Sequence, residues 1–136
     1  MKIEAYLLRI NILSLCCALL FLAGCDLGET DSMEVTASAY NSVPSQTDKD
    51  NPALTAWGDI LKPGMKCIAV SRDLIEIGLT HNTKVKIDGL PGTYLVKDKM
   101  NKRWQKKIDI YMGNDIEAAK EWGVRKVTIS WSVKSE

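Results

Sequence analysis

The sequence has little that can bind a metal ion and almost no net charge. Its 136 residues include one His and four Cys, and 18 Lys and Arg residues against 17 Asp and Glu residues leave a formal charge of +1. A single imidazole leaves little material for a zinc site, and the balanced charge gives no sign of a phosphate-backbone partner. The length suits one compact domain. We therefore expect a small domain without a metal, a cofactor or a nucleic-acid partner.

The apolar run near the N-terminus is short for a membrane span. Residues 10–23 carry no charge and follow two basic residues, but a span needs about 20 apolar residues. Such a run is typical of a secretory signal peptide. The sequence Leu22-Ala23-Gly24-Cys25 resembles the bacterial lipobox, whose Cys is lipidated and becomes the new N-terminus. We predict a signal peptide at residues 1–24 and a lipid on Cys25; a plain signal peptide and an uncleaved anchor are the alternatives.

Acidic residues dominate the segment that follows the predicted lipid. Four of the residues between 26 and 35 are Asp or Glu, which is typical of a solvated tether, and ten residues reach at most about 35 Å. We therefore predict a tether at residues 25–35 and a folded domain at residues 36–136. The protein is expected to be a membrane-anchored lipoprotein facing the periplasm or cell wall. Asp26 resembles an inner-membrane retention signal, if the cell has two membranes.

Cys67 is the one thiol that remains besides Cys25 after removal of the signal peptide, so no intramolecular disulfide can form between unmodified cysteines. It lies in the apolar run Cys67-Ile68-Ala69-Val70, which predicts a buried structural thiol rather than a nucleophile. His81, the sole imidazole, lies in a turn-like polar stretch and is predicted to be a surface loop residue.

Alternating polar and apolar residues predict a mainly β domain. The candidate strands are residues 35–40, 65–70, 83–88, 93–96, 107–112 and 126–133. One helix is predicted at residues 115–122, with Asn114 as its N-cap and Gly123 as its C-terminal cap. Six short strands and one short helix predict a small closed six-stranded barrel.

Asp98 and Asp109 are the strongest candidates for acid–base chemistry. Asp98 ends one predicted strand and Asp109 lies within another, on the face opposite Ile108 and Ile110. Burial of a charged carboxylate without a partner is unfavourable for folding, so the presence of each Asp on an apolar strand requires an explanation. An ion pair with a neighbouring Lys and a catalytic role both provide one, and the spacing alone leaves both open.

Short motifs spread over residues 35–133 point to one family. They are Ala37-Ser38-Ala39-Tyr40, Thr55-Ala56-Trp57-Gly58, Ile68-Ala69-Val70, Val96-Lys97-Asp98, Lys107-Ile108-Asp109-Ile110-Tyr111, and Glu117-Ala118-Ala119 with Trp122-Gly123. In order and spacing they resemble the three-Asp (3D) domain family, which shares a barrel core with membrane-bound lytic transglycosylase A and stationary-phase survival proteins. The resemblance implies a double-psi β-barrel and, for active members, non-hydrolytic cleavage of peptidoglycan glycan strands.

The resemblance also implies roles for individual residues. Asp109 matches the catalytic acid–base of the family, Asp98 matches its partner in the same groove, and Thr55 matches a threonine beside them. Asp73 matches the first family aspartate with a displacement of two positions, and is a candidate for substrate binding.

The chain departs from the family pattern directly after Asp98. Many members have a glycine-rich turn there, whereas residues 99–106 read Lys-Met-Asn-Lys-Arg-Trp-Gln-Lys. Trp104 and Lys106 in this stretch are candidate substrate contacts, and Trp104 either stacks on a sugar or packs on the barrel. The basic residues around them suit carboxylated wall peptides and anionic lipids.

The function implied by the resemblance is that of a peptidoglycan lytic transglycosylase. Such an enzyme cleaves the bond between N-acetylmuramic acid (MurNAc) and N-acetylglucosamine (GlcNAc) and forms 1,6-anhydroMurNAc, in cell-wall turnover or remodelling. One acid is sufficient, provided that its pKa is raised. A non-catalytic peptidoglycan-binding or envelope-assembly module is the main alternative, and a hydrolase that uses Asp98 and Asp109 as a pair is the other. The expected partners are peptidoglycan and the membrane.

Overall fold

The computed structural model describes residues 28–43 and 50–133. The predicted signal peptide at 1–24 and the lipidated Cys25 lie outside the described residues. Among the helices within them, none has the length and apolar character to cross a membrane. The elements in chain order are β1 (Thr30–Tyr40), β2 (Cys67–Val70), α1 (Arg72–Glu76), β3 (Lys84–Ile87), β4 (Tyr94–Lys99), β5 (Lys107–Tyr111), α2 (Ile116–Trp122) and β6 (Arg125–Ser132).

The six strands close into a mixed barrel in the order β1-β5-β2-β4-β3-β6. The pairs β1–β5 and β2–β4 are parallel, and the other four pairs are antiparallel. The prediction of a mainly β, six-stranded barrel is confirmed. Closure pairs every strand on both sides and leaves no free sheet edge.

The barrel core follows the alternation seen in the sequence. In β6, Val127, Ile129 and Trp131 are buried whereas their neighbours Lys126 and Thr128 are exposed. The same pattern buries alternate residues of β3 and β5, so one face of each strand forms the core. Burial of these apolar side chains is the main favourable contribution to folding.

The barrel begins earlier than the sequence indicates. β1 starts at Thr30 and pairs with β6 from Thr30↔Ser132 to Ala37↔Arg125. Half of the segment predicted as a tether is therefore strand. The acidic side chain of Glu34 stays exposed, while Met33 packs against the core. One segment can both expose acidic side chains and contribute to the core, because successive side chains of a strand point to opposite faces of the sheet.

Two helices are described, where the sequence predicts one. The additional helix, α1, has five residues and buries Leu74, and it is too short to show a helical period. Gly123, with φ 64°, follows Trp122 as the C-terminal cap of α2, as predicted. Its N-cap, however, is Asp115 rather than Asn114, because the Asp115 side chain accepts a hydrogen bond from the N–H of Ala118 at 2.9 Å.

Candidate active site

An open cavity of about 300 Å³ lies over the middle of β2. Its floor consists of Ala69, Asp98 and Asp109. Residues 52–54 form one wall and residues 99–101, with Trp104, form the other. Three elements that are distant in sequence therefore build the site around the two aspartates that the sequence predicts to act together.

The register of the sheet places both aspartates opposite Ala69. Asp98 in β4 and Asp109 in β5 are each paired with this residue of β2, which lies between the two strands. The β2–β4 register shifts by one residue between Ile68 and Ala69, so that Asp98 rather than Lys97 faces Ala69. An extra residue in one strand commonly re-aims a side chain in this way.

Asp109 is held in the floor by a hydrogen bond from β1. Ser38 is its register partner in the parallel β1–β5 pair, and the Ser38 hydroxyl donates to Asp109 Oδ1 at 3.1 Å. Burial raises the pKa of Asp109, and the charge of Asp98 adds to this; the Ser38 hydrogen bond and the charge of Lys107 oppose it. Burial dominates, so the net shift favours the protonated acid.

Asp98 is fixed by two backbone N–H groups. Ala56 N and Lys99 N both donate to Asp98 Oδ1 at 2.8 Å. Burial raises the pKa of Asp98, the two hydrogen bonds and the charge of Lys99 lower it, and Asp59 raises it further. The net direction is upward, as for Asp109. The two groups line the same cavity, and the charge of Asp98 disfavours ionisation of Asp109.

Thr55 supports the site from behind and is not among the residues that line the cavity. Its side chain is buried, and its Oγ1 accepts a hydrogen bond from the N–H of Asp59 at 3.0 Å. The backbone of Thr55 also exchanges hydrogen bonds within the same turn. This turn presents the N–H of Ala56 to Asp98, so Thr55 lies one residue away from the contact with the site.

A polar cluster that the sequence does not reveal holds the same turn from outside. Asp59 forms a hydrogen bond with His81 Nε2 at 2.5 Å and an ion pair with Lys97 Nζ at 3.1 Å. The His81 ring also lies against the ring of Trp57, with centroids 5.2 Å apart. His81 is exposed, as predicted, yet it anchors the turn that carries the donor to Asp98. The spacing of these residues in sequence gives no signal for this cluster.

Asp73 and Lys106, both predicted as substrate contacts, meet each other rather than the cavity. The N–H of Lys106 donates to Asp73 Oδ2 at 2.8 Å, and neither residue is part of the cavity lining within the described residues. Burial opposes ionisation of Asp73, but hydrogen bonds from Ser71 and from backbone N–H groups outweigh it and lower the pKa. The two residues tie the loop before β5 to α1.

Trp104 does line the cavity and is 37% exposed. Two cations lie against its ring: Lys107 Nζ is 3.7 Å and the Arg103 guanidinium carbon is 5.0 Å from the ring centroid. Trp104 therefore lies at the rim of the cavity and is flanked by two basic side chains.

Tyr40 also lines the cavity, and the sequence patterns do not predict a role for it. Its ring packs on that of Tyr111, with centroids 5.5 Å apart. Its hydroxyl is buried and has no hydrogen-bond partner among the described residues. Burial raises the pKa of Tyr40, with smaller contributions from Cys67, Asp98 and Asp109. Tyr40 is therefore a neutral donor at neutral pH, close to both aspartates.

Within residues 28–43 and 50–133, no group of three or more His, Cys, Asp or Glu side chains is placed to hold a metal ion. Cys67 is buried, as predicted, and burial raises its pKa to about 12. A thiol with this pKa is a poor nucleophile at neutral pH. Comparison of the chain with family models and with curated proteins gives no match.

Proposed function

We propose that the protein is a peptidoglycan lytic transglycosylase in which Asp109 is the acid–base. One observation carries the proposal: Asp109 lies in the floor of an open cavity, oriented by Ser38, with its pKa raised by burial. A general acid works best when its pKa approaches the operating pH. The resemblance of the sequence motifs to the three-Asp domain family supports the choice of substrate.

The reaction requires one acid that acts twice. Protonated Asp109 gives its proton to the glycosidic oxygen between MurNAc and GlcNAc, and the bond from C1 of MurNAc to that oxygen breaks. The resulting carboxylate takes the proton of the MurNAc 6-hydroxyl as O6 bonds to C1. The products are a 1,6-anhydroMurNAc end and a free GlcNAc 4-hydroxyl, and Asp109 is again protonated.

Asp98 assists without taking part in proton transfer. Its charge favours the protonated form of Asp109, and the N–H groups of Ala56 and Lys99 hold its carboxylate in place. Strands are spaced by about 4.8 Å, so two strand spacings set the Cα atoms of Asp98 and Asp109 on the order of 10 Å apart. A sugar ring fits between them over the small side chain of Ala69.

The location in the cell rests on the N-terminal sequence. We propose that signal peptide removal at residue 24 and lipidation of Cys25 anchor the protein to a membrane, facing the periplasm or cell wall. Because β1 starts at Thr30, only four residues, 26–29, separate the lipidated residue from the barrel. The enzyme would then act on strands close to the membrane surface.

The test is mass spectrometry of purified peptidoglycan after incubation with residues 26–136. The parent chain is expected to release anhydromuropeptides. Asp109→Asn should reduce their rate of formation by about 10²–10⁴-fold, the usual contribution of a general acid–base. Asp88→Asn is the matched control, because Asp88 is exposed beyond the end of β3 and should leave the rate unchanged.

The products distinguish the competing functions. Reducing MurNAc ends in place of anhydro ends would show a hydrolase that uses Asp98 and Asp109 as a pair. Binding to the sacculus without any product would show the non-catalytic module, which the bulky residues 99–106 favour because they occupy the place of a glycine-rich turn. Anhydro products that persist at full rate in Asp109→Asn would exclude Asp109 as the acid.

A further inference from the structure

Basic residues are concentrated in the segment that forms one wall of the cavity, and one of them, Lys99, lines the cavity itself. The loop of residues 99–107, called here the cationic loop, contains five basic residues and no acidic one. Among the described residues, no carboxylate forms an ion pair with any of the five. The basic residues are Lys99, Lys102, Arg103, Lys106 and Lys107. Within the described part of the chain, their charges are therefore not neutralised by an ion pair.

The cationic loop is held in place by hydrogen bonds to the barrel and to α1. The N–H of Met100 donates to the carbonyl of Val70 at 2.8 Å, and Arg72 Nε donates to the carbonyl of Met100 at 3.3 Å. Within the loop, the N–H of Arg103 donates to Asn101 Oδ1 at 3.1 Å. A loop that is already ordered loses little conformational entropy when it binds a ligand.

Two of the basic side chains of the loop pack against Trp104 at the cavity rim. Lys107 and Arg103 both lie against its ring, and the ring itself lines the cavity. The opposite wall is different in character: residues 52–54 are Pro, Ala and Leu, and Leu54 is 47% exposed. The cavity thus has one apolar wall, and the cationic loop contributes Lys99, Met100, Asn101 and Trp104 to the other wall.

We propose that the cationic loop binds the carboxylates of the stem peptides that a glycan strand carries, and so selects strands with intact stems. This inference rests on the proposed function, because it assumes a strand bound over Asp98 and Asp109. The sugars of peptidoglycan between the stems carry no charge, whereas the stem peptides carry free carboxylates. The side of the cavity with Trp104 therefore faces the stem, and the apolar side faces the uncharged part of the strand.

The experiment measures binding of Asp109→Asn to two materials, so that cleavage does not interfere. One is sacculi freed of covalently attached phosphate polymers; the other is the same sacculi after an amidase has removed the stems. The chain used is residues 26–136, which contains the whole described barrel. The loop variant is Lys102→Gln/Arg103→Gln, and the matched control is Lys84→Gln/Lys86→Gln on β3, which lies opposite β5 in the strand order.

The loop variant should bind stem-bearing sacculi about fivefold more weakly than Asp109→Asn alone, the effect expected of two exposed charge contacts. It should bind stripped glycan equally well. The control on β3 should stay within about twofold on both materials, and the effect of the loop should shrink as salt is raised. All four substituted side chains are exposed, so unchanged melting temperatures are expected for both variants.

Three results would overturn the inference. The first is undiminished binding of the loop variant to stem-bearing sacculi, and the second is an equal loss on stripped glycan, which would indicate contact with the sugars. The third comes from a further arm with sacculi that still carry the phosphate polymers: a loop effect seen only on that material would show that the ligand is a phosphate.

The outcome separates this inference from the proposed function. If the parent chain forms no anhydromuropeptides but the loop-dependent preference for stems is observed, the transglycosylase proposal fails and the stem-binding wall stands. If the parent chain forms anhydromuropeptides and the loop variant binds stem-bearing sacculi as well as Asp109→Asn alone does, the stem-binding wall fails and the transglycosylase stands.

Discussion

Asp98 and Asp109 lie on opposite sides of β2 and are both in register with Ala69. Ala69 is 6% exposed, and it lines the cavity together with the two aspartates. A larger residue here would occupy the space above the floor. The size of this one side chain therefore limits the space between the two acids, where the proposed function places a sugar.

Replacement of Ala69 tests this relationship. Ala69→Leu should abolish binding to peptidoglycan and product formation, because the added carbons project into the cavity between Asp98 and Asp109. Ala69→Ser is the matched control and should retain both, since its side chain is nearly as small. Sedimentation with sacculi and product analysis give the measurement. Full activity of Ala69→Leu would show that the substrate does not lie over β2.

Removal of the Asp109 charge should stabilise the fold at neutral pH. Burial raises the pKa of Asp109 above its usual 3.8, so its favourable contribution is complete below the unfolded pKa and is lost as the pH rises through the folded pKa. Asp109→Asn should therefore increase the free energy of unfolding at pH 7 by about 1 kcal/mol. Its advantage should disappear as the pH falls below 3.8.

Urea unfolding at pH 7 and at acid pH measures this difference. Asp88→Asn serves as the control because its exposed side chain should change stability by less than about 0.5 kcal/mol at either pH. A loss of stability in Asp109→Asn at pH 7 would contradict the prediction that the ionised, buried Asp109 carboxylate destabilises the fold.

The ion pairs of Asp59 should act in the opposite sense. Burial opposes ionisation of Asp59, but hydrogen bonds from Lys97 and His81 lower its pKa below 3.8. The stabilisation is present above the unfolded pKa and is lost as the pH falls through the folded pKa. Asp59→Asn should cost about 0.5–1 kcal/mol at pH 7, since the carboxylate is 23% exposed and screening limits such pairs.

Glu117→Gln is the matched control for Asp59→Asn. Glu117 pairs with Lys120 at 3.2 Å, but both side chains are largely exposed, so stability should change by only a few tenths of a kcal/mol. Asp59→Asn should also slow product formation, because Asp59 anchors the turn that presents Ala56 N–H to Asp98. An unchanged rate would show that this turn keeps its position without the ion pairs.

Asn41 should be the most sensitive polar position of the barrel. Its side chain is fully buried, and Nδ2 donates to the carbonyls of Met112, Gly113 and Asp115 at 3.0–3.2 Å. Each of these carbonyls also accepts a backbone N–H, from Asp115, Ser42 and Ala119 respectively. Asn41→Ala therefore removes the amide hydrogen bonds without leaving the carbonyls unpaired, and should cost about 1–2 kcal/mol of unfolding free energy. Asn41→Asp should cost more, since it places a charge against the three carbonyls.

Chemical denaturation of Asn41→Ala, Asn41→Asp and the exposed control Asn114→Ala measures these costs. Asn114→Ala should remain within about 0.5 kcal/mol of the parent. Equal stability of Asn41→Ala and Asn114→Ala would show that the backbone N–H groups alone satisfy the three carbonyls.

Local patterns in the sequence determine the strands and the outward direction of Asp109. Alternation along β3, β5 and β6 identifies the core positions, because each residue of a strand points to the face opposite its neighbour. Gly123 marks the end of α2 for a similarly local reason, since its φ of 64° favours glycine. The prediction of Asn114 as the N-cap is wrong. Asn114 and Asp115 are both suitable residue types, and the sequence alone does not show which of them directly precedes the first helical residue.

Only the tertiary structure decides what surrounds the two aspartates. The register shift that brings Asp98 opposite Ala69, the turn that presents Ala56, and the ion pairs of Asp59 all join residues that are far apart in the chain. Asp73 and Lys106 are suitable residue types for binding, yet neither lines the cavity in the described part of the chain, and the backbone N–H of Lys106 donates to the Asp73 carboxylate instead. These contacts depend on how strands of a closed barrel are paired, and strand pairing is set by the packing of the whole core rather than by any local pattern.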